Sequence, residues 1–397
     1  MRLGRSMLRY GAIGAVLVLV VWLLVAIELE GFVNRIEPAA LPAISPRARA
    51  VHETAFVADL HADSLLFGRN LLERGRHGHV DVPRLQAGGV GLQVFAVPTV
   101  VPLGANIERT ERGTIDAIRL ASIVQLSPMA LMGPTGRARF RARQLRDFVR
   151  ASDGALMLID DRGDLDALLA ARSAGGDVIG VLLAIEGAHA MRAHPERITM
   201  LFEAGYRMMG LAHFFDNAYA GSAHGVVRGG LSELGRRTIS EMESLGMVVD
   251  LAHLSPQAMD EVLDFVTRPT VYSHGGVRGT CDNQRNLSDD QLVRIAQGGG
   301  VVGIGYWETA VCGLAPADVA RAILYAVERI GPDHVALGSD YDGGTTVGFD
   351  TANLPALTQA LFDAGLDEQA VRKILGENVL RVLTATLPPP ASTIQAE

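Results

Sequence analysis

Short apolar runs recur along the chain at about 55–61, 90–97, 178–186, 207–213, 247–253, 270–274, 301–306 and 334–340. Each has the length of a buried strand. Between most of them apolar positions recur at helical spacing, as in LSELGRRTISEMESLG (231–246) and ADVARAILYAVERIG (317–331). Strands alternating with helices imply a parallel sheet covered by helices. Eight such strands predict an α/β fold of the closed (β/α)8 TIM-barrel type. The interval 99–176 exceeds what one connection needs, so it is expected to carry extra helices and a loop. An open doubly wound sheet alternates in the same way. It usually carries a Gly-rich phosphate turn after an early strand, and the sequence shows none there.

The pattern changes at both ends. Residues 10–27, YGAIGAVLVLVVWLLVAI, are uncharged and mostly apolar, with Arg2, Arg5 and Arg9 before them and Glu28 and Glu30 after. This predicts one N-terminal transmembrane helix, with residues 1–9 cytoplasmic and the remainder outside the cytoplasm, periplasmic in a bacterium. The expectation is therefore a single-pass membrane protein. A cleaved signal peptide is the alternative, and no clear A-x-A site follows the run. Residues 28–52 are rich in Pro and Ala and read as a linker, 53–386 as the barrel, and 387–397 (LPPPASTIQAE) as a flexible tail.

Composition narrows the picture. The 397 residues are 48% hydrophobic and 20% charged, a globular balance with an apolar excess. A net charge of -8 without a basic stripe argues against nucleic acid as a partner. Lys373 is the only lysine. Of the two cysteines, Cys281 and Cys312, neither number nor spacing suggests a thiolate metal site. In an exported domain they could pair; two separate thiols are the other reading.

The chemistry lies where the strands end. In barrels of this kind the C-terminal strand ends carry the catalytic residues. Read along ADLHADS, a strand would place Asp59, His61 and Asp63 on one face. The third run ends in Glu186, the fourth in His213, the fifth in His253, the sixth in His274, and the eighth in Asp340, with Asp342 two residues on. Taken singly, each has an ordinary explanation. A histidine after an apolar run is commonly a satisfied core or loop residue, a glutamate can cap a helix dipole, and Asp340 and Asp342 precede a Gly-Gly turn. Taken together, so many titratable groups at one end of a barrel would be costly to bury unless paired or bound to an ion. Histidine and carboxylate ligands without thiolate suit Zn²⁺ or a similar borderline ion, and Mn²⁺ or Co²⁺ fit the same donors. The ligands are too many for one tetrahedral ion and about enough for two. Two neighbouring ions need a bridging anion. A carboxylated lysine is excluded, since Lys373 lies in EQAVRKILGENVLRVL, a helical stretch beyond the last strand. Glu186 is the natural bridge.

The strings DLHADSL, GGVGLQVFAV, AIEGAHA, GLSELGRRTISEMESLGMVVDLAHLS, SHGGVRGTCDNQRNLSDDQL, HVALGSDYDG and ILGENVLRVL, in order over about 52–384, resemble the membrane dipeptidase family of zinc peptidases. The resemblance implies an amidohydrolase-type barrel with two zinc ions. Carried over by motif, His61 and Asp63 would hold one ion, His253 and His274 the other, and Glu186 would bridge them. His213 would contact the substrate, Arg285 in DNQRNLS would bind the terminal carboxylate, and Asp340 would be the acid/base. Outside the family, Arg285 reads as a surface salt bridge. Asp59 reads as structural. The implied activity is hydrolysis of free dipeptides, L-Xaa-D-Xaa included, by a metal-bridging hydroxide, and a homodimer is compatible with the family. The stretch AHFFDNAYAGSAHG departs from the mammalian pattern, so Asp216, Asn217 and His224 could reshape the pocket. The rivals are another amidohydrolase, acting on a lactone, cyclic amide or β-lactam, and a membrane-tethered binding protein that has lost catalysis.

Overall fold

The computed structural model describes residues 21–22, 25–26, 28–113 and 115–390. All eight apolar runs form strands: β1 (Val57–Ala62), β2 (Val90–Pro98), β3 (Ile179–Glu186), β4 (Tyr206–Gly210), β5 (Val248–Asp250), β6 (Val271–Tyr272), β7 (Val301–Ile304) and β8 (Val335–Leu337). They pair in parallel in the order β2-β1-β8-β7-β6-β5-β4-β3. The pairing of β2 with β3, from Leu92↔Gly180 to Pro98↔Glu186, closes the barrel. Every residue of β2 and β3 is buried. This is why these strands read as continuous apolar runs, since barrel strands are covered on both faces.

Local signals set the connections. The helix Glu233–Leu245 begins at Ser232, whose Oγ accepts from Gly235 N at 3.1 Å, and ends at Gly246 in the left-handed region (φ 74°). The helix Asp289–Gln297 begins with a capping box between Ser288 and Gln291. Such caps satisfy helix-end amides locally and leave the loops after each strand free for other work. The interval 99–176 holds the helices Ala117–Val124, Pro134–Ala151 and Arg162–Ser173. It also holds an unanticipated short strand, Leu156–Leu158, which pairs with the start of β3 before β4 joins at Leu183.

Two expectations at the N-terminus are corrected. No helix among the described residues is long and apolar enough to cross a membrane. The transmembrane helix over 10–27, and with it the single-pass membrane protein having an extracytoplasmic catalytic domain, is therefore not upheld. Residues 10–20, 23–24 and 27 of that stretch lie outside the described residues. Residues 28–52, expected as a tether, are packed on the barrel. Residues 28–33 are helical, and Glu30 pairs with Arg69 at 2.7 Å. Arg35–Ile36 forms a parallel pair with Thr346–Val347. The helix Pro46–Thr54 starts at Ser45, whose Oγ accepts from Ala48 N at 3.1 Å, and buries Ala48, Val51 and His52. At the other end Leu387 is buried and Pro388 O accepts from Arg162 N, while 391–397 lie outside the described residues.

Candidate metal centre

The C-terminal ends of β1, β3, β4, β5, β6 and β8 bring His61, Glu186, His213, His253, His274 and Asp340 together, with Asp63 directly after β1. Glu186 is central. Its Oε1 lies 2.8 Å from His253 Nε2, 3.4 Å from His274 Nε2 and 3.7 Å from His61 Nε2. Its Oε2 lies 3.1 Å from His213 Nε2. On the far side His61 Nε2 stands 3.8 Å from Asp63 Oδ1 and 3.9 Å from Asp340 Oδ1. Three overlapping groups have metal-ligand spacing: His61, Glu186 and His274; Glu186, His213 and His253; and His61, Asp63 and Asp340.

The backbone is specialised here. His253 and Asp340 are left-handed, with φ of 62° and 56°. Non-glycine residues adopt this conformation at a cost, and such positions concentrate at functional sites. Gly187, at φ 79°, follows Glu186, and a Cβ there would sit 2.8 Å from the His189 ring and 3.2 Å from His213 Cβ. Only glycine lets β3 end this close to the loop after β4.

Hydrogen bonds outside the cluster orient its rings. Ser273 Oγ donates to Asp250 Oδ2 at 2.6 Å, so it receives its bond from His274 Nδ1, 2.8 Å away. His224 Nδ1 lies 3.3 Å from the Ile107 carbonyl, which can only accept, so that nitrogen carries the proton. Burial lowers His224 to about 3, so the ring is neutral and its Nε2 accepts from His253 Nδ1 at 2.9 Å. Both His253 and His274 therefore turn bare Nε2 lone pairs inward. The two Nε2 atoms are 2.9 Å apart and both lie near Glu186 Oε1. His61 Nε2, Asp63 Oδ1 and Glu186 Oε1 are buried without any hydrogen-bond partner. Lone pairs converging in this way repel unless a cation or proton lies between them, so the donor set fits bound metal. Burial lowers His253 and His274 well below the usual imidazole range and His213 to about 4. Burial, reinforced by Glu186, raises Asp63 and Asp340 well above the usual carboxylate range.

The remaining residues take other places. Asp59 is not among the clustered groups; it accepts from His61 N at 3.0 Å, Gln93 Nε2 at 3.1 Å and Ser339 N at 3.0 Å, and so ties β1 to β2 and to the loop after β8. Asp342 accepts from Ser64 Oγ and Arg69 Nη2, each at 2.5 Å. Asp216 accepts from Ser222 N and Val227 N at 2.8 Å, and Asn217 donates to the Leu211 carbonyl at 2.7 Å; both shape the loop after β4. Lys373 pairs with Asp333 at 2.5 Å. Arg285 is 6% exposed, so it is no surface ion pair. It donates to the His274 carbonyl at 2.8 Å and to Tyr272 Oη, and no carboxylate among the described residues pairs with it. Cys281 and Cys312, with Cα atoms 5.3 Å apart, form a disulfide across the loop that carries Arg285. The orienting roles of Asp250 and Ser273 are absent from the expectations drawn from sequence. The DLAH and YSH strings, in which each stands near a histidine on a strand end, were the available signal.

Two cavities open on the cluster. One, of about 300 Å³, is lined by Arg285, His224, His274 and Trp307. The other, of about 390 Å³, has Asp63, Glu186 and His213 among its lining residues and mostly apolar walls.

A family model described as membrane dipeptidase (peptidase family M19) matches residues 45–388. An uncharacterized dipeptidase of Schizosaccharomyces pombe is 29% identical over 335 residues, covering 78% of this chain and 73% of that protein. The dipeptidase tcpJ of Claviceps purpurea is 30% identical over 315 residues, covering 77% and 69%. Among solved structures, a metallopeptidase of Rhodobacter sphaeroides, liganded with a phosphinate mimic of L-Ala-D-Ala, superposes with a TM-score of 0.68 at 24% identity, over 84% of this chain and 99% of that one. The probable dipeptidase PvdM of Pseudomonas aeruginosa gives a TM-score of 0.71 at 20% identity, over 86% and 99%. At these identities the structural likeness speaks for the fold.

Proposed function

From the premise that this chain belongs to the membrane dipeptidase family and is a metal-dependent dipeptidase, we propose that it cleaves free dipeptides, L-Xaa-D-Xaa included, with two zinc ions. His61 and Asp63 would hold one ion, His253 and His274 the other, with Glu186 between them. The observation that carries this reading is the convergence of bare His253 and His274 nitrogens on the buried Glu186 carboxylate. When bound, the ions would polarise the scissile carbonyl and lower the pKa of water toward neutrality.

The protein's own groups do the rest. Arg285, buried and without a carboxylate partner among the described residues, takes the substrate's terminal carboxylate through a two-pronged hydrogen bond. That anchor fixes the distance from the carboxylate to the cluster and so favours dipeptides over longer chains. His213, lowered by burial to about 4 and therefore neutral at pH 7, offers a ring N–H to the oxygen that becomes negative as the carbonyl is attacked. Asp340, held well above the usual carboxylate range by burial, accepts a proton from water and passes it to the leaving amine.

The test is an assay of the zinc-loaded full chain. Amino acid release is measured from L-L and L-D dipeptides, tripeptides and N-blocked dipeptides, with and without chelator. Cleavage restricted to free dipeptides and abolished by chelator supports the reading. Turnover of a cyclic amide, lactone or β-lactam but no dipeptide would point to another amidohydrolase, and binding without turnover to an inactive binding protein.

A further inference from the structure

The two cavities lie against the same cluster but differ in character. His253, Phe214 and Asp340 line both. Arg285 lines only the smaller. The larger adds Asp63, Glu186 and His213, and beyond these and the shared His253 and Asp340 it presents apolar side chains and backbone. Leu66 and Phe67 come from the segment after β1, and Ile118, Leu120 and Ala121 from the helix Ala117–Val124. Leu29 and Val33 close it from outside the barrel.

This outer wall is fixed in place. Glu28 pairs with His77 at 2.9 Å and Glu30 with Arg69 at 2.7 Å. Asn34 Oδ1 accepts from the amide of Gly344, itself a lining residue, at 2.9 Å. Arg35–Ile36 then pairs with Thr346–Val347 on the loop that carries Asp340. Several lining side chains stay partly open to water: Val33 is 39% exposed and Leu120 43%. An apolar ligand group would cover them.

We propose that the larger cavity receives the side chain of the substrate's amino-terminal residue and selects a large apolar one, with residues 28–33 as part of the pocket wall. The inference rests on the dipeptidase reading. With Arg285 holding the carboxylate in the smaller cavity, the amino-terminal residue lies across the cluster, in the larger one. A pocket of this composition gains with each methylene it buries and gives a charged side chain no partner except the carboxylates it shares with the metal site.

The experiment compares kcat/KM of the zinc-loaded full chain on dipeptides that share a carboxy-terminal alanine and begin with Gly, Ala, Leu, Phe or Lys. The expected result is a preference of at least about tenfold for Leu and Phe over Gly and Lys. Leu29→Asp, in the outer wall, and Ala121→Phe, which fills the pocket from the barrel side, should each lower that ratio severalfold or more. Leu131→Asp, 92% exposed and lining neither cavity, should leave it unchanged. Equal rates on small and large side chains overturn the inference while leaving the dipeptidase reading intact. A ratio that falls in Ala121→Phe but not in Leu29→Asp overturns the role of residues 28–33. A full chain inert to every dipeptide overturns the reading beneath the inference, and the inference with it.

Discussion

His224 Nε2 lies 2.9 Å from His253 Nδ1, and the far side of the His224 ring is tied to the Ile107 carbonyl. A loop residue thereby decides which nitrogen of His253 is free to bind metal. Replacing His224 with Phe keeps the ring and removes the hydrogen bond. Metal affinity should fall by about 10- to 100-fold with the fold intact. Competition with a chelator of known affinity measures this, and circular dichroism checks the fold.

Asp340 serves as proton carrier in this account. Asp340→Asn should lower kcat by about 10²–10⁴-fold. Affinity for a phosphinate dipeptide mimic should change little, since Arg285 and the cluster remain. Isothermal titration beside steady-state kinetics separates the two effects. Equal loss of binding and turnover would instead make Asp340 chiefly a binding group.

Arg285 is assigned the substrate carboxylate. Arg285→Met preserves much of the apolar stem and removes the donors. It should weaken binding of free dipeptides by about 1.5–3 kcal/mol, the range for a hydrogen bond to a charged group, seen as a rise in KM. Dipeptide amides, which lack the carboxylate, should be affected far less. KM values for matched acid and amide substrates check the prediction.

Much of this site was legible in the sequence. Each of the eight barrel strands is buried on both faces and therefore reads as a plain apolar run. The ligand-type residues stand where those runs stop. The contacts of His224 and Asn34 were not legible, because they depend on pairings across the chain. His224 meets Ile107 from 117 residues away, and Asn34 meets Gly344 across 310. The Pro- and Ala-rich stretch 28–52 has the composition of a tether. Its strand pair, its cap at Ser45 and its ion pairs with the barrel are tertiary facts that composition does not encode.

Glu30 makes docking of the outer wall depend on pH. Burial, opposed by Arg69, raises its carboxyl from 4.5 to about 7. The folded state then binds a proton more tightly than the unfolded one. The stabilisation from this group is complete below pH 4.5 and is lost as pH rises through about 7. Hydrogen exchange of amides 28–36, corrected for intrinsic rates, should show protection falling between pH 5 and 8. Glu30→Gln, which keeps a hydrogen-bond acceptor for Arg69, should flatten that dependence.

The central claim is that one cluster built around Glu186 holds two ions and that dipeptide cleavage requires both. Titrating the metal-free full chain with zinc, while following both bound metal and amino acid release from a free dipeptide, tests it most directly. The account predicts activity that climbs to a plateau at two ions per chain, and a Glu186→Gln variant that reaches neither the occupancy nor the rate. Full activity in the metal-free chain, or a plateau at a single ion, would contradict it.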